Sequence, residues 1–142
     1  MLGPVSQKLE TVLVVDDQPD VLDVVARILK SAHFNVLQAA SGAEALQLAT
    51  DYAGTIHLLL SDVQMPKMTG PDLGIALKKS RPDLKVMLMS GMGDGSLLVL
   101  NYGWAYIEKP FMMQKLLSMV NDVLHTPDRS QGSRGYDSRK EG

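Results

Sequence analysis

The chain contains no cysteine among its 142 residues. Disulfide bonds, thiolate catalysis and zinc sites built on cysteine are therefore excluded. Long apolar runs are also missing, because none exceeds a few residues and a bilayer span needs about 20. The first ten residues lack the apolar core of a secretory signal. We therefore expect a cytoplasmic protein that has no membrane partner.

A strong excess of charge of one sign is absent as well. Lys and Arg number 14 and Asp and Glu number 16, which gives a formal net charge of -2. This balance provides no general attraction to a polyanion, so we predict no direct contact with nucleic acid. Hydrophobic residues make up 45% and charged residues 21% of the sequence, as is typical of one globular domain of this length.

Composition divides the chain into three parts. Residues 1–10 are predicted to be an N-terminal extension, and residues 11–125 a folded domain. Residues 126–142 are rich in Gly, Ser and charge and show no apolar period, so we predict a disordered polar tail.

Short apolar strands alternate with amphipathic helices along the folded domain. Strands are predicted at residues 11–16, 35–39, 56–62, 85–90 and 104–108. Helices are predicted from Pro19, from a Ser41–Glu44 capping box to Tyr52, from Pro71 to about Ser80, over 111–125 and, short and weak, over 95–102. This alternation favours an α/β fold in which helices cover both faces of a parallel sheet.

Acidic residues stand where two of these strands end. Asp16 and Asp17 end the first strand and Asp62 ends the third. Ligands of open parallel sheets bind beyond the carboxyl ends of the strands, so these carboxylates converge if the two strands are neighbours. A divalent cation would relieve their repulsion, and an all-oxygen ligand set favours Mg²⁺. The alternative is that each Asp only caps the helix that follows it.

Two further polar residues stand at the ends of the fourth and fifth strands. Ser90 ends the fourth strand and Lys109 follows the fifth. A hydroxyl and an ammonium beside three carboxylates suit an anion that is held next to a metal ion.

The strand ends carry four sequence motifs in order. They are VVDDQPD at 14–20, LLLSDVQMPKMTG at 58–70, LMSG at 88–91 and YIEKPF at 106–111. Together they resemble the receiver domain of two-component response regulators over about residues 12–124, in the manner of a chemotaxis receiver without an effector domain. The resemblance implies a flavodoxin-like, doubly wound (βα)5 fold whose five-stranded sheet has the order 2-1-3-4-5.

The resemblance also implies roles for the acidic residues. Asp62 matches the aspartate that accepts the phosphoryl group. Asp17 would bind Mg²⁺ directly, and Asp16 would hold it mainly through water. Gln64 would offer its backbone carbonyl to the metal. An aspartate carboxylate is a competent nucleophile for phosphoryl transfer, in which charge neutralisation does most of the catalysis.

Three other positions receive roles in the same way. Lys109 would pair with the phosphoryl oxygens, and Ser90 would hydrogen-bond to one of them. Tyr106 matches a switch aromatic that turns inward as the hydroxyl residue moves, although it would also suit an edge-strand aromatic packed on a helix.

The segment between Ser90 and Lys109 departs from the family pattern. It is a few residues short, and glycines discourage the start of a helix there, so we predict a shortened fourth helix. Its consecutive apolar residues at 97–100 cannot all face inward. We therefore predict that the 93–106 region docks protein partners, among which a second copy of the chain would form a homodimer.

The resulting prediction is a phosphorelay receiver. It would take a phosphoryl group from a histidine kinase or a histidine phosphotransfer protein, switch conformation towards a downstream protein target, and dephosphorylate itself slowly without turning over an external substrate. One alternative is a pseudo-receiver that only binds proteins. The other is a haloacid-dehalogenase-like phosphatase, which is disfavoured because Gln64 stands where those enzymes have a second aspartate.

Overall fold

The computed structural model describes residues 9–91 and 102–126, in which five strands alternate with four helices. The strands are β1 (Thr11–Val15), β2 (Asn35–Ala39), β3 (Leu58–Asp62), β4 (Lys85–Ser90) and β5 (Ala105–Glu108). The helices are α1 (Pro19–Ser31), α2 (Gly42–Asp51), α3 (Gly70–Ser80) and α4 (Met113–His125). Residues 95–101 of the predicted short helix, and most of the extension and tail, lie outside the described residues.

All five strands are parallel, and their order is β2-β1-β3-β4-β5. The predicted fold class and strand order are confirmed. The strand order reverses at β1, so β1 and β3 are neighbours although β2 separates them in the chain. Their carboxyl ends therefore meet, as the acidic cluster requires.

The core forms one apolar layer on each face of the sheet. Leu59 and Leu88 pack towards α2 and α3 on one face. Leu60 and Met89 pack towards α1 and α4 on the other. Every residue of β1 and β3 is buried, because these central strands are covered on both sides. Within the described residues, no helix is both long enough and apolar enough to cross a membrane.

The third strand begins two residues later than predicted, at Leu58 instead of residue 56. The reason lies in His57, whose backbone N–H donates to Thr11 O while its Nδ1 accepts from Thr11 N at 2.9 Å. The His57 side chain thus accepts the hydrogen bond that a main-chain carbonyl would accept in a regular strand pair. The last helix starts at Met113, not at residue 111, with Met112 in extended conformation as its N-cap.

Hydroxyl side chains cap two of the helices. Ser41 Oγ accepts from Glu44 N as predicted, but the Glu44 carboxylate accepts from Ala40 N and not from the cap residue, so the predicted reciprocal box is wrong in that half. A complete capping box does occur at α3, where Thr69 and Asp72 bond reciprocally. The start of α3, directly after the loop that follows Asp62, is thereby fixed.

Candidate functional site

Three carboxylates gather at the carboxyl edge, meaning the side of the sheet where the strands end. Asp16, Asp17 and Asp62 each place one carboxylate oxygen so that all three lie within 4.8 Å of one another. Asp16 and Asp62 are buried and Asp17 is exposed. The predicted convergence is therefore correct, and it follows from the adjacency of β1 and β3.

Lys109 joins the two buried acids. Its Nζ donates to Asp16 Oδ2 at 3.0 Å and to Asp62 Oδ1 at 3.1 Å. β5 delivers this side chain from the far side of β4, across the end of the sheet. Three ionised carboxylates and one ammonium leave an excess of two negative charges, which a divalent cation would neutralise.

Burial and charge shift the titration of this pair. Burial raises the pKa of the Asp62 carboxyl, as do the charges of Asp16 and Asp17, and the hydrogen bond from Lys109 only partly offsets them. For Lys109, burial favours the neutral amine, but the hydrogen bonds to Asp16 and Asp62 outweigh it and raise the lysine pKa. The ammonium therefore stays charged and partly compensates a carboxylate whose ionisation is opposed by its surroundings.

The acids differ in how far the protein already engages them. Asp16 Oδ2 accepts from Lys109, and its Oδ1 accepts from Gln18 N at 2.9 Å. Asp17 projects into solvent. Gln64 lies two residues beyond Asp62 in the loop before α3, with an exposed side chain.

Ser90 ends β4 at the same edge and is fully buried. Its Oγ has no hydrogen-bond partner among the described residues. Leaving a buried hydroxyl unsatisfied costs about 1–3 kcal/mol, so the site holds a polar group that is suited to a ligand.

Tyr106 lies outside the acidic cluster, in the middle of β5. It is partly buried against the layer between the sheet and helices α2 and α3, and its Cα pairs with that of Leu88. Side chains alternate between faces along a strand, so Ser90, two residues beyond Leu88, points to the same face as Tyr106.

Sequence reasoning missed the contacts that hold the main chain of Asp62. Ser61 Oγ donates to Asp62 O at 2.9 Å. Gly70 packs so closely that a Cβ at this position would overlap the same oxygen. Both residues fall within the 58–70 motif, but only Gly70 offered a signal, because glycine permits a close approach of main chain.

Comparisons with known proteins agree with this geometry. The model of the response regulator receiver domain family matches residues 12–121. The sensor kinase CckA of Brucella abortus is 35% identical over 121 residues, which are 83% of this chain and 13% of that protein. The transcriptional regulatory protein CpxR of Escherichia coli is 31% identical over 132 residues, 92% of this chain and 56% of that protein.

A solved structure shares the fold along most of the chain. The crystal structure of a response regulator receiver domain protein from Clostridium thermocellum aligns with a TM-score of 0.75 and 29% identity, covering 87% of this chain and 98% of that one. Sequence match, strand order and the acidic edge coincide, and the chain belongs to the receiver domain family of two-component response regulators.

Proposed function

We propose that the chain accepts a phosphoryl group on Asp62 from a histidine kinase or a histidine phosphotransfer protein. Receiver domains interact with histidine kinases, and the match to a sensor kinase is consistent with such a partner. The observation that carries the proposal is the contact of Asp62 with Lys109 in a cluster with two further acids. Mg²⁺ is the proposed cofactor, and when bound it would neutralise charge on the transferring phosphoryl group.

The residues present fit that ion. Asp17 is exposed and suits a direct ligand, while both oxygens of Asp16 already accept hydrogen bonds and suit contact through water. Asp62 and the backbone carbonyl of Gln64 complete the proposed set. Carboxylate, carbonyl and water oxygens are the ligands that Mg²⁺ prefers.

The side chains around Asp62 support its role as nucleophile. An attacking carboxylate must be ionised, and burial opposes this by raising the pKa of Asp62. Lys109 counters the effect through its 3.1 Å hydrogen bond. The same ammonium is placed to pair with phosphoryl oxygens as the bond from Asp62 to phosphorus forms and the bond from phosphorus to the histidine nitrogen breaks. Water would later hydrolyse the acyl phosphate slowly.

Ser90 and Tyr106 are the proposed switch. The Ser90 hydroxyl, unpartnered among the described residues, would donate to a phosphoryl oxygen. Moving that hydroxyl would change the space beside Tyr106, which lies on the same face one strand away. The downstream protein target and the homodimer through the 93–106 region stay predictions, since residues 92–101 lie outside the described part of the chain.

The geometry favours a phosphate acceptor over a pseudo-receiver. A binding module has no need to bury Asp16 and Asp62 beside each other, because such burial costs free energy unless it serves a charged ligand. A phosphatase of the haloacid-dehalogenase type stays disfavoured by Gln64, which cannot act as the second carboxylate.

Incubation with Mg²⁺ and acetyl phosphate, followed by intact-mass spectrometry, tests the proposal. Wild type should gain one phosphoryl group, and Asp62→Asn should gain none because an amide is not a competent nucleophile. Asp122→Asn, which alters an exposed acid on α4, is the matched control and should label like wild type. Equal labelling of Asp62→Asn, or no labelling of wild type, would refute the proposal.

A further inference from the structure

The main-chain carbonyl of Asp62 lies at the point where the neighbouring strand on one side has ended. The β1–β3 register ends at the pair Val15–Ser61, whereas the β3–β4 register continues to the pair Asp62–Met89. Val63 N donates to Met89 O at 3.0 Å, towards β4. In a trans peptide the carbonyl of the preceding residue points the opposite way, so Asp62 O points away from β4, to the side where β1 has ended.

Ser61 supplies a hydrogen bond to that carbonyl. Its Oγ donates to Asp62 O at 2.9 Å, and the residue is fully buried. Leu59 and Val63 belong to the layer beneath α2 and α3, so alternation along the strand points the Ser61 side chain to that face as well. The hydroxyl thus reaches the carbonyl from one face of the sheet, while the Asp62 carboxylate projects to the other.

Gly70, the first residue of helix α3, packs against the same carbonyl of Asp62. A Cβ on Gly70 would overlap Asp62 O and would lie 3.2 Å from the Asp62 carbonyl carbon and 3.1 Å from Leu88 Cδ2. The Gly70 N–H donates to Val63 O at 2.9 Å, which ties the first residue of α3 to the end of β3. The Thr69–Asp72 capping box holds this first turn in place. Only glycine allows the helix to approach the strand end so closely.

We propose that Ser61 and Gly70 are positioning residues that fix the main chain of Asp62 for phosphorylation. The inference rests on the proposed function of Asp62. The carboxylate must stay within hydrogen-bond distance of Lys109 and within 4.8 Å of the other acids, and a shift of its main chain displaces it from both. The hydroxyl and the glycine act from the face opposite the carboxylate, so neither touches the reacting atoms.

The rate of labelling by acetyl phosphate at saturating Mg²⁺ tests the proposal, measured well below the unfolding temperature of each variant. Gly70→Ala should lower the rate by about 100-fold, because displacements near 1 Å are that costly for group transfer. Ser61→Ala should lower it by about tenfold through loss of one hydrogen bond. Ser61→Thr, which keeps the hydroxyl, should recover most of that loss.

Gly74→Ala is the matched control for Gly70→Ala. Both glycines are buried residues of helix α3. A Cβ on Gly74 would lie 2.9 Å from Trp104 Cη2 and 3.4 Å from Val86 Cγ1, which are the ends of side chains, whereas a Cβ on Gly70 meets main chain. Gly74→Ala should therefore change stability without slowing the labelling of folded protein.

A second readout separates positioning from mere stability and does not need phosphorylation. The side-chain carboxyl ¹³C resonance of Asp62 in the metal-free protein, assigned by its loss in Asp62→Asn, should shift in Gly70→Ala and Ser61→Ala and stay in place in Gly74→Ala. If wild type is labelled on Asp62 but neither variant alters the rate or the resonance, the positioning inference is overturned and the proposed function stands. If wild type is not labelled, the proposed function fails, while the resonance still decides whether Ser61 and Gly70 hold Asp62.

Discussion

The carboxyl edge of the sheet can be compared with the amino edge, where the strands begin. At the amino edge, Asn35 Nδ2 donates to Thr11 Oγ1 at 3.0 Å and to Tyr52 Oη at 3.1 Å, while His57 Nδ1 accepts from Thr11 N. These groups bond to one another. At the carboxyl edge, three acids share one lysine, and Ser90 Oγ has no partner among the described residues.

This difference separates polar groups that stabilise the fold from polar groups that are held for a ligand. Hydrogen bonds between neutral side chains satisfy buried polar atoms and add to stability. Clustered carboxylates repel one another, and burial raises the pKa of Asp62 above its ordinary value. We therefore expect changes at the two edges to have opposite consequences, with function lost at one and stability lost at the other.

The largest contrast is expected between two lysines at opposite edges of the sheet. Lys109 follows the end of β5, and Lys85 is the first residue of β4. Lys109→Met should lower the rate of phosphorylation by about 100-fold, because it removes the charge that we propose stabilises the transferring group. Mg²⁺ affinity should rise about tenfold, because a cation is removed from beside the acids. Labelling kinetics and titration calorimetry measure both effects.

Lys85→Met is the control at the amino edge, where Lys85 Nζ donates to Thr126 O at 2.9 Å. It should change neither the labelling rate nor the Mg²⁺ affinity. Unchanged labelling in Lys109→Met would show that the carboxyl-edge lysine is only a structural counter-ion.

The exposed acid should matter more for the metal than for the fold. Asp17→Asn should weaken Mg²⁺ binding by at least about tenfold, because the proposed direct ligand loses its charge. Stability without metal should stay within about 0.5 kcal/mol, since the side chain lies in solvent. Glu10→Gln, which alters the hydrogen bond between Glu10 and His125 at the amino edge, should leave Mg²⁺ affinity unchanged. Equal affinity in Asp17→Asn and wild type would refute the ligand role.

A substitution at the amino edge should show the reverse pattern. Asn35→Ala removes the donor that joins Thr11 and Tyr52 and should lower the free energy of unfolding by about 1–3 kcal/mol. The labelling rate of the folded protein should equal that of wild type. Urea unfolding measures the loss of stability, and intact-mass kinetics measure the labelling rate. Slowed labelling would show that a change at the amino edge affects the site at the carboxyl edge.

The smallest effect is the pH dependence of stability without metal. The folded protein holds the Asp62 proton more tightly than the unfolded chain does, because burial raises the pKa of this carboxyl. Its contribution to stability is therefore present below the ordinary value of 3.8 and is lost as pH rises through the raised pKa. Lys109, whose pKa is raised from 10.5, stays charged throughout this range.

The difference in unfolding free energy between wild type and Asp62→Asn isolates this contribution. Wild type should lose stability relative to the variant as pH rises from 3.8, and the variant should be the more stable of the two near neutrality. The opposite slope would mean that Lys109 outweighs burial at this site.

Sequence patterns predicted the fold and the residues of the acidic edge well. Alternating strands and helices determine the layers, and the strand ends identify Asp16, Asp17 and Asp62. The sequence did not reveal that Lys109 joins Asp16 to Asp62, because this contact depends on how far β5 lies across the end of the sheet.

Other features depend on local geometry that periodicity does not encode. The Thr69–Asp72 box was missed because the helix was predicted to begin at Pro71, and it begins one residue earlier. The hydrogen bond from Thr11 N to the His57 ring nitrogen was missed, because a histidine in the sequence does not indicate whether its residue lies in a strand or in a loop. The hydrogen bond from Ser61 to Asp62 O requires knowledge of where β1 stops.

Helix α4 runs from the segment after Lys109 to the opposite edge, where Glu10 bonds to its last residue, His125, and Lys85 bonds to the C-cap residue, Thr126. Its 13 residues make a rod of about 20 Å. A helix that is held at its C-terminal end changes its tilt when its N-terminal end is displaced. If phosphorylation of Asp62 moved Lys109, the near end of α4 would move while Lys85 held its far end, and a small shift at the site would become a change in the tilt of α4 along one flank of the domain.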